Sequence, residues 1–137
     1  MILIPALLAI VIGTLVVGLV AQLVMLMSRR YKLTWRHGFE YGALVTVAGL
    51  AGVLLRFFSG IALPAALGAA IAFAFHALMG AWFLGVRAKD RDGHPAGFLR
   101  GALFGLLVLV LVLAAGFAFG ALQGVMEVQR GAVDPGI

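Results

Sequence analysis

The sequence predicts an all-α integral membrane protein of four transmembrane helices, built as two tandem hairpins around a pseudo-twofold axis along the membrane normal. Three observations support this. Hydrophobic residues make up 64% of the 137 positions and charged ones 11%, with a mean hydropathy of +1.18, which excludes a water-soluble fold. Four apolar stretches reach the length a membrane span needs, because a bilayer core ~30 Å thick takes about 20 residues of helix. Finally, the chain resembles itself at an offset of about 59 residues: Ile2, Pro5, Ala6, Leu8 and Ile12 fall on Ile61, Pro64, Ala65, Leu67 and Ile71. Gly38-Phe39-x-x-Gly42-Ala43-Leu44 likewise falls on Gly97-Phe98-x-x-Gly101-Ala102-Leu103. Roughly a quarter of the aligned positions are identical, where this composition gives about a tenth by chance. The reading is a single membrane domain, 1–137, with repeats 1–59 and 60–118 and a C-terminal extension, 119–137.

The first span is expected from Ile2 to Met27. It lacks a basic leading segment, and no cleavage site precedes Ser28-Arg29-Arg30, so it reads as a permanent helix rather than a signal. The second runs from Phe39 to Phe58, the third from Ile61 to Val86, and the fourth from Gly101 to Met126. Pro5 and Pro64 suit first helical turns, where the missing N–H costs little. Trp35, Tyr41 and Trp82 suit the aromatic belt at a membrane interface.

Charge assigns the orientation. Arg29, Arg30, Lys32 and Arg36 crowd the first loop, and Arg87, Lys89, Arg91 and Arg100 the second long loop. Short basic loops stay inside, so loops 28–38 and 87–100 are expected in the cytoplasm and both termini outside. The Ala-, Gly-, Leu-, Val- and Arg-rich composition suits a bacterial inner membrane. The net charge of +5 then reports topology and not nucleic-acid binding. With no cysteine, disulfides and thiolate chemistry are excluded.

Helices in lipid associate where small residues let backbones approach. Helix four carries Gly101, Gly105, Gly116, Gly120 and Gly124 as one expected seam; helix three has Gly68, Ala72, His76 and Gly80; helix two has Gly49, Gly52 and Arg56. His76 near mid-depth, Arg56, Glu127 and Gln22 are the intramembrane polar candidates, with an Arg56–Glu127 pair expected at the outer level. At the cytoplasmic surface the candidates are Arg36, His37, Glu40, His94 and Arg100, with Glu40 and Arg100 meeting across the axis. Two helix N-termini beside arginines favour a bound phospholipid headgroup. The spacing of His37, Glu40, Asp90, Asp92 and His94 matches no metal motif, and no metal or other cofactor is expected. A haem is disfavoured because Val16, Val47 and Val110 occupy the depth of His76.

The sequence holds no catalytic motif. The first functional expectation is a non-catalytic subunit or assembly factor of a larger membrane complex, with its C-terminal tail, from Gln129, as an outside contact. The alternative is a small oligomeric transporter or channel using His76, and the third a membrane enzyme acting on lipid or quinone. The expected partners are membrane lipids and other membrane chains, or further copies of this one.

Overall fold

The computed structural model describes residues 3–133, with side chains from Ile4 to Arg130. The repeat match at Ile2 and the end of the expected tail contact, 134–137, lie outside the described residues. Four helices follow one another: α1 (Leu3–Ser28), α2 (Trp35–Ser59), α3 (Ala65–Arg87) and α4 (Phe98–Val133). All four are long and apolar enough to cross a membrane. Among the described residues α1, α2 and α4 cover the stretches expected for them, whereas α3 starts at Ala65, leaving Ile61–Leu63 in the connection and Pro64 at the cap rather than in the first turn.

Local chemistry sets the ends. Thr34 caps α2 by accepting the His37 N–H at 3.3 Å. Gly60 closes α2 at φ 65°, a left-handed position that a glycine takes without strain. Pro64 stands one residue before α3, and its carbonyl accepts the Gly68 N–H at 3.0 Å.

The chain pairs as two hairpins, α1 on α2 and α3 on α4, joined by a contact of α1 with α4. The corresponding contact of α2 with α3 is slight: Tyr41 lies beside Phe83, ring centroids 5.7 Å apart. Tyr41 is fully buried there, in the core rather than on the surface an interfacial anchor would use, while Trp35 and Trp82 are exposed.

Packing is confined to the end that carries the two long loops. Val17, Ala21 and Val24 of α1, Tyr41 and Val45 of α2, Phe83 and Leu84 of α3, and Phe104 and Val108 of α4 form one buried cluster. No residue in 4–16, 46–79 or 110–130 is buried. The helices therefore close at the loop end and separate toward the other.

Glycine decides where they close. A Cβ on Gly42 would overlap the Thr14 carbonyl oxygen, and one on Gly105 the His76 carbonyl oxygen. Gly80, Gly85 and Gly101 meet backbone just as tightly. In α3 this contact coincides with a π turn, Gly80–Leu84, in which the Gly85 N–H bonds to the Gly80 carbonyl. Residues five apart on a regular α-helix point about 140° apart; the wider π turn brings them toward one face. Gly80 and Gly85 can thus both meet α4. By contrast, Gly116, Gly120 and Gly124 of α4, with Gly49, Gly52 and Gly68, have open space around them within this chain. The expected continuous seam stops after Gly105.

This contrast is measurable. Gly105→Ala is expected to cost about 1–3 kcal/mol by overpacking against backbone that cannot yield. Gly116→Ala should stay within about 0.5 kcal/mol, as surface changes do. Reversible unfolding in detergent of the monomeric chain compares them, and equal losses would refute the crossing described.

Candidate functional site

Two of the intramembrane candidates come together. Between the diverging far halves of α2 and α3 lies a cleft of about 370 Å³. Small residues line part of each wall, Ala48, Gly49 and Gly52 on α2 and Gly68 and Ala72 on α3, and Val53, Leu63, Ile71 and Phe75 complete it. Arg56 and His76 supply its only ionisable groups. The small residues follow ridges of helical spacing, so their absence of side chain leaves a slot between the helices.

His76 is half-buried, and its Nδ1 bonds to the Ala72 carbonyl at 2.8 Å, one helical turn back. A carbonyl only accepts, so Nδ1 carries a proton and Nε2 is the ring atom left free of this bond. The ring also meets Phe75 edge-on at 5.3 Å. Arg56 is exposed at the far end of the cleft, where the Ser59 hydroxyl donates to its carbonyl at 3.2 Å. Chemically the cleft offers an apolar slot, one imidazole and one fixed positive charge.

The expected Arg56–Glu127 pair does not form within the chain; among the described residues neither group has an ion-pair partner. The reason lies in the architecture. α4 is fixed to α3 and α1 near the loop end and does not pack on α2. From Leu113 to Arg130 it is exposed at every position.

Gln22 has a structural role. Its amide donates to the Leu33 and Thr34 carbonyls at 3.2 and 3.0 Å, clipping the first loop onto α1. Gly38 makes room for it, since a Cβ there would stand 2.7 Å from the amide nitrogen.

At the loop end the two basic loops are joined by main chain. Lys32 and Lys89 exchange both N–H···O bonds, at 2.8 and 3.1 Å, and Ala96 donates to the Ala88 carbonyl at 2.9 Å. Arg100 donates to the Tyr31 hydroxyl, and Tyr31 packs edge-on against Phe104 at 5.7 Å. Glu40 instead pairs with Arg36 at 2.8 Å, one turn away on the exposed side of α2, so the expected Glu40–Arg100 contact is absent. The His37 Nδ1 is buried without a hydrogen-bond partner among the described residues. Tyr31 was not legible as a fastener, because its partner is 69 residues away.

Asp90, Asp92 and His94 lie with one donor atom each within 4.8 Å. A turn accounts for this arrangement. One Asp90 oxygen accepts the His94 N–H at 2.9 Å and the Asp92 N–H at 3.0 Å. Arg29, Arg30 and Arg91 line the same hollow, so the two aspartates also serve as counter-charges between the loops. The His94 amide, then the Asp92 amide and the charges of His94 and Arg30, hold the Asp90 carboxyl below its ordinary range despite some desolvation.

No protein family matches the sequence, and neither the curated proteins nor the solved structures provide a similar chain. The fold and site define a class: a four-helix chain able to span a membrane, closed at its loop end, with a polar-tipped cleft at the other.

Because folding lowers the Asp90 pKa, its contribution to order in this turn is present above the ordinary carboxylate range. It is lost as pH falls through the lowered value. Protection factors for hydrogen exchange at the Asp92 and His94 amides, taken relative to the intrinsic rate at each pH, should therefore fall on acidification, and in Asp90→Ala already at neutral pH. Unchanged protection in Asp90→Ala would show that another group holds the turn.

Proposed function

We propose that this chain is a non-catalytic subunit or assembly factor of a larger membrane complex. The supporting observation is the far half of α4, where Gly116, Gly120 and Gly124 stand in open space on a helix without neighbours. Lipid tails cover apolar side chains as well as protein does, so exposed leucines and phenylalanines alone imply nothing. A bare backbone ridge is different, because its advantage is close contact with another helix. Apart from the Asp90–His94 contact of the loop turn, no acid–base pair, nucleophile constellation or phosphate-cradling loop occurs among the described residues to suggest chemistry instead.

The proposed setting is a bacterial inner membrane, with loops 28–38 and 87–100 cytoplasmic and the termini outside. It rests on the joined basic loops, whose exposed Arg29, Arg30 and Arg36 are suited to anionic headgroups. The tandem-repeat reading belongs here too. The mutual Lys32–Lys89 pairing is a contact that a twofold axis can produce, while the closed α1–α4 and open α2–α3 contacts depart from it.

A second reading, a small oligomeric transporter, is favoured by the placement of His76 and Arg56 in one cleft. Helices that part around mid-depth polar groups are a recurring transport architecture.

Mild extraction from native membranes, followed by native mass spectrometry of the intact particle, separates these readings. Stoichiometric larger chains are the expected result. A homo-oligomer carrying nothing else would overturn the subunit reading, and flux in proteoliposomes with His76→Ala and Arg56→Ala would then test transport.

A further inference from the structure

We propose that the far half of α4 docks in the α2–α3 cleft of a second copy of this chain, with Glu127 of one copy paired to Arg56 of the other. This goes beyond the subunit reading and stands apart from it.

The argument begins with length. The apolar part of α4, Gly101 to Met126, is about 26 residues, or ~39 Å at the helical rise. A hydrocarbon core of ~30 Å accepts that length with a tilt of about 40°, the upper end of the usual range. In α2 the apolar part is close to the core thickness and fits nearly upright. The apolar stretches of α1 and α3 are as long as this, so what sets α4 apart is where it is fixed: beyond Gly105 it climbs ~33 Å to Glu127, and from Leu113 to Arg130 it has no buried position. A helix leaving its own bundle in this way has no neighbour in its own chain, consistent with the exposure of every position from Leu113 to Arg130.

Tilt also matches the charges in depth. Glu127 is 29 residues along from Phe98, ~44 Å on an upright helix but ~33 Å at 40°. Arg56 is 21 residues along from Trp35, ~32 Å on the upright α2. Both therefore arrive at the same boundary, each without an ion-pair partner among the described residues of its own chain. On α4, Gly116, Gly120, Gly124, Gln123 and Glu127 fall within an arc of about 100°. The face that bears the carboxylate is thus the one without bulk. The receiving slot presents Gly49, Gly52 and Gly68 to it, with Arg56 at its far end. One chain encodes both halves of a complementary contact and satisfies neither internally. Reciprocal exchange in a closed twofold dimer satisfies both.

The chain lacks cysteine, so introduced ones report cleanly. Two differently tagged full-length chains, one Arg56→Cys and the other Glu127→Cys, are co-expressed and oxidised in the native membrane. A mixed-tag disulfide is expected, while a Trp35→Cys and Glu127→Cys control, at opposite ends of the span, gives none. In native mass spectrometry Arg56→Glu should weaken the dimer about tenfold or more, and Arg56→Glu with Glu127→Arg should restore it. These positions are exposed in the chain, so rescue reports pairing and not folding. A mixed disulfide no stronger than the control overturns the proposal, as does a link formed only within a doubly substituted chain. So does a monomer that retains lipid in the cleft, or a single copy held by foreign helices. That last result leaves the subunit reading standing, whereas a bare exchanged dimer sinks it and leaves this proposal intact.

Discussion

Where α3 crosses α4, the backbone at Gly80 and Gly85 lies against Gly101 and Gly105 with no side chain between them. α1 and α2 meet in the same manner at Gly18 and Gly42. Burying apolar side chains gives helices in lipid little net advantage, so such contacts are where dispersion and close approach can hold a hairpin. Both lie in the half of the molecule nearest the long loops. From that one constraint the rest of the shape follows: side chains from all four helices can bury only near the crossings, and beyond them the helices separate. The cleft and the free half of α4 are the consequence of placing the tight contacts at one end.

Holding two basic loops together at that end requires compensation. Arg29, Arg30, Lys32, Arg87, Lys89 and Arg91 all lie on these segments, and their mutual repulsion opposes the closed arrangement. Main-chain bonds between Lys32 and Lys89 do not depend on side-chain charge, and the side chains are free to turn toward water or headgroups. Asp90 and Asp92 enter the same hollow as Arg29 and Arg30. The two acids thus stand beside these arginines as counter-charges, a placement their spacing in the sequence did not show.

The four spans were legible in the sequence because length and apolarity are local properties; only the start of the third was set too early, since apolarity alone does not show that the chain stays outside the helix up to Pro64. So was the grouping of His76 and Arg56 on small-residue faces, since helical spacing alone places Gly49, Gly52 and Arg56, or Gly68, Ala72 and His76, along one ridge. Partners across the fold were not legible. Glu127 and Arg100 had plausible complements by depth, yet the angle of α4 decides what they reach, and a π turn in α3 helps to set that angle. Gln22 looked like an isolated intramembrane amide until the first loop folded back onto it. Tyr41 carries the composition signal of an interfacial residue, and only the approach of Phe83 buries it.

The 59-residue overlay gives the asymmetry a physical meaning. If the hairpins are related by a twofold axis, the contact between α1 and α4 corresponds to that between α3 and α2. One is closed and the other is open. Val17, buried in the closed arrangement, overlays His76, and Ala115 overlays Arg56. Under that relation, the two surfaces would carry apolar residues in one case and ionisable ones in the other. An imidazole and a guanidinium resist burial against bare apolar backbone, because each must keep a polar partner or pay its desolvation. The polar pair therefore opposes closure of the second surface, and closure there awaits a group that can satisfy Arg56. If the hairpins are such a pair, one interface is shut around Val17 while its counterpart stands open beside His76 and Arg56, and the open one is where a further helix has room to bind.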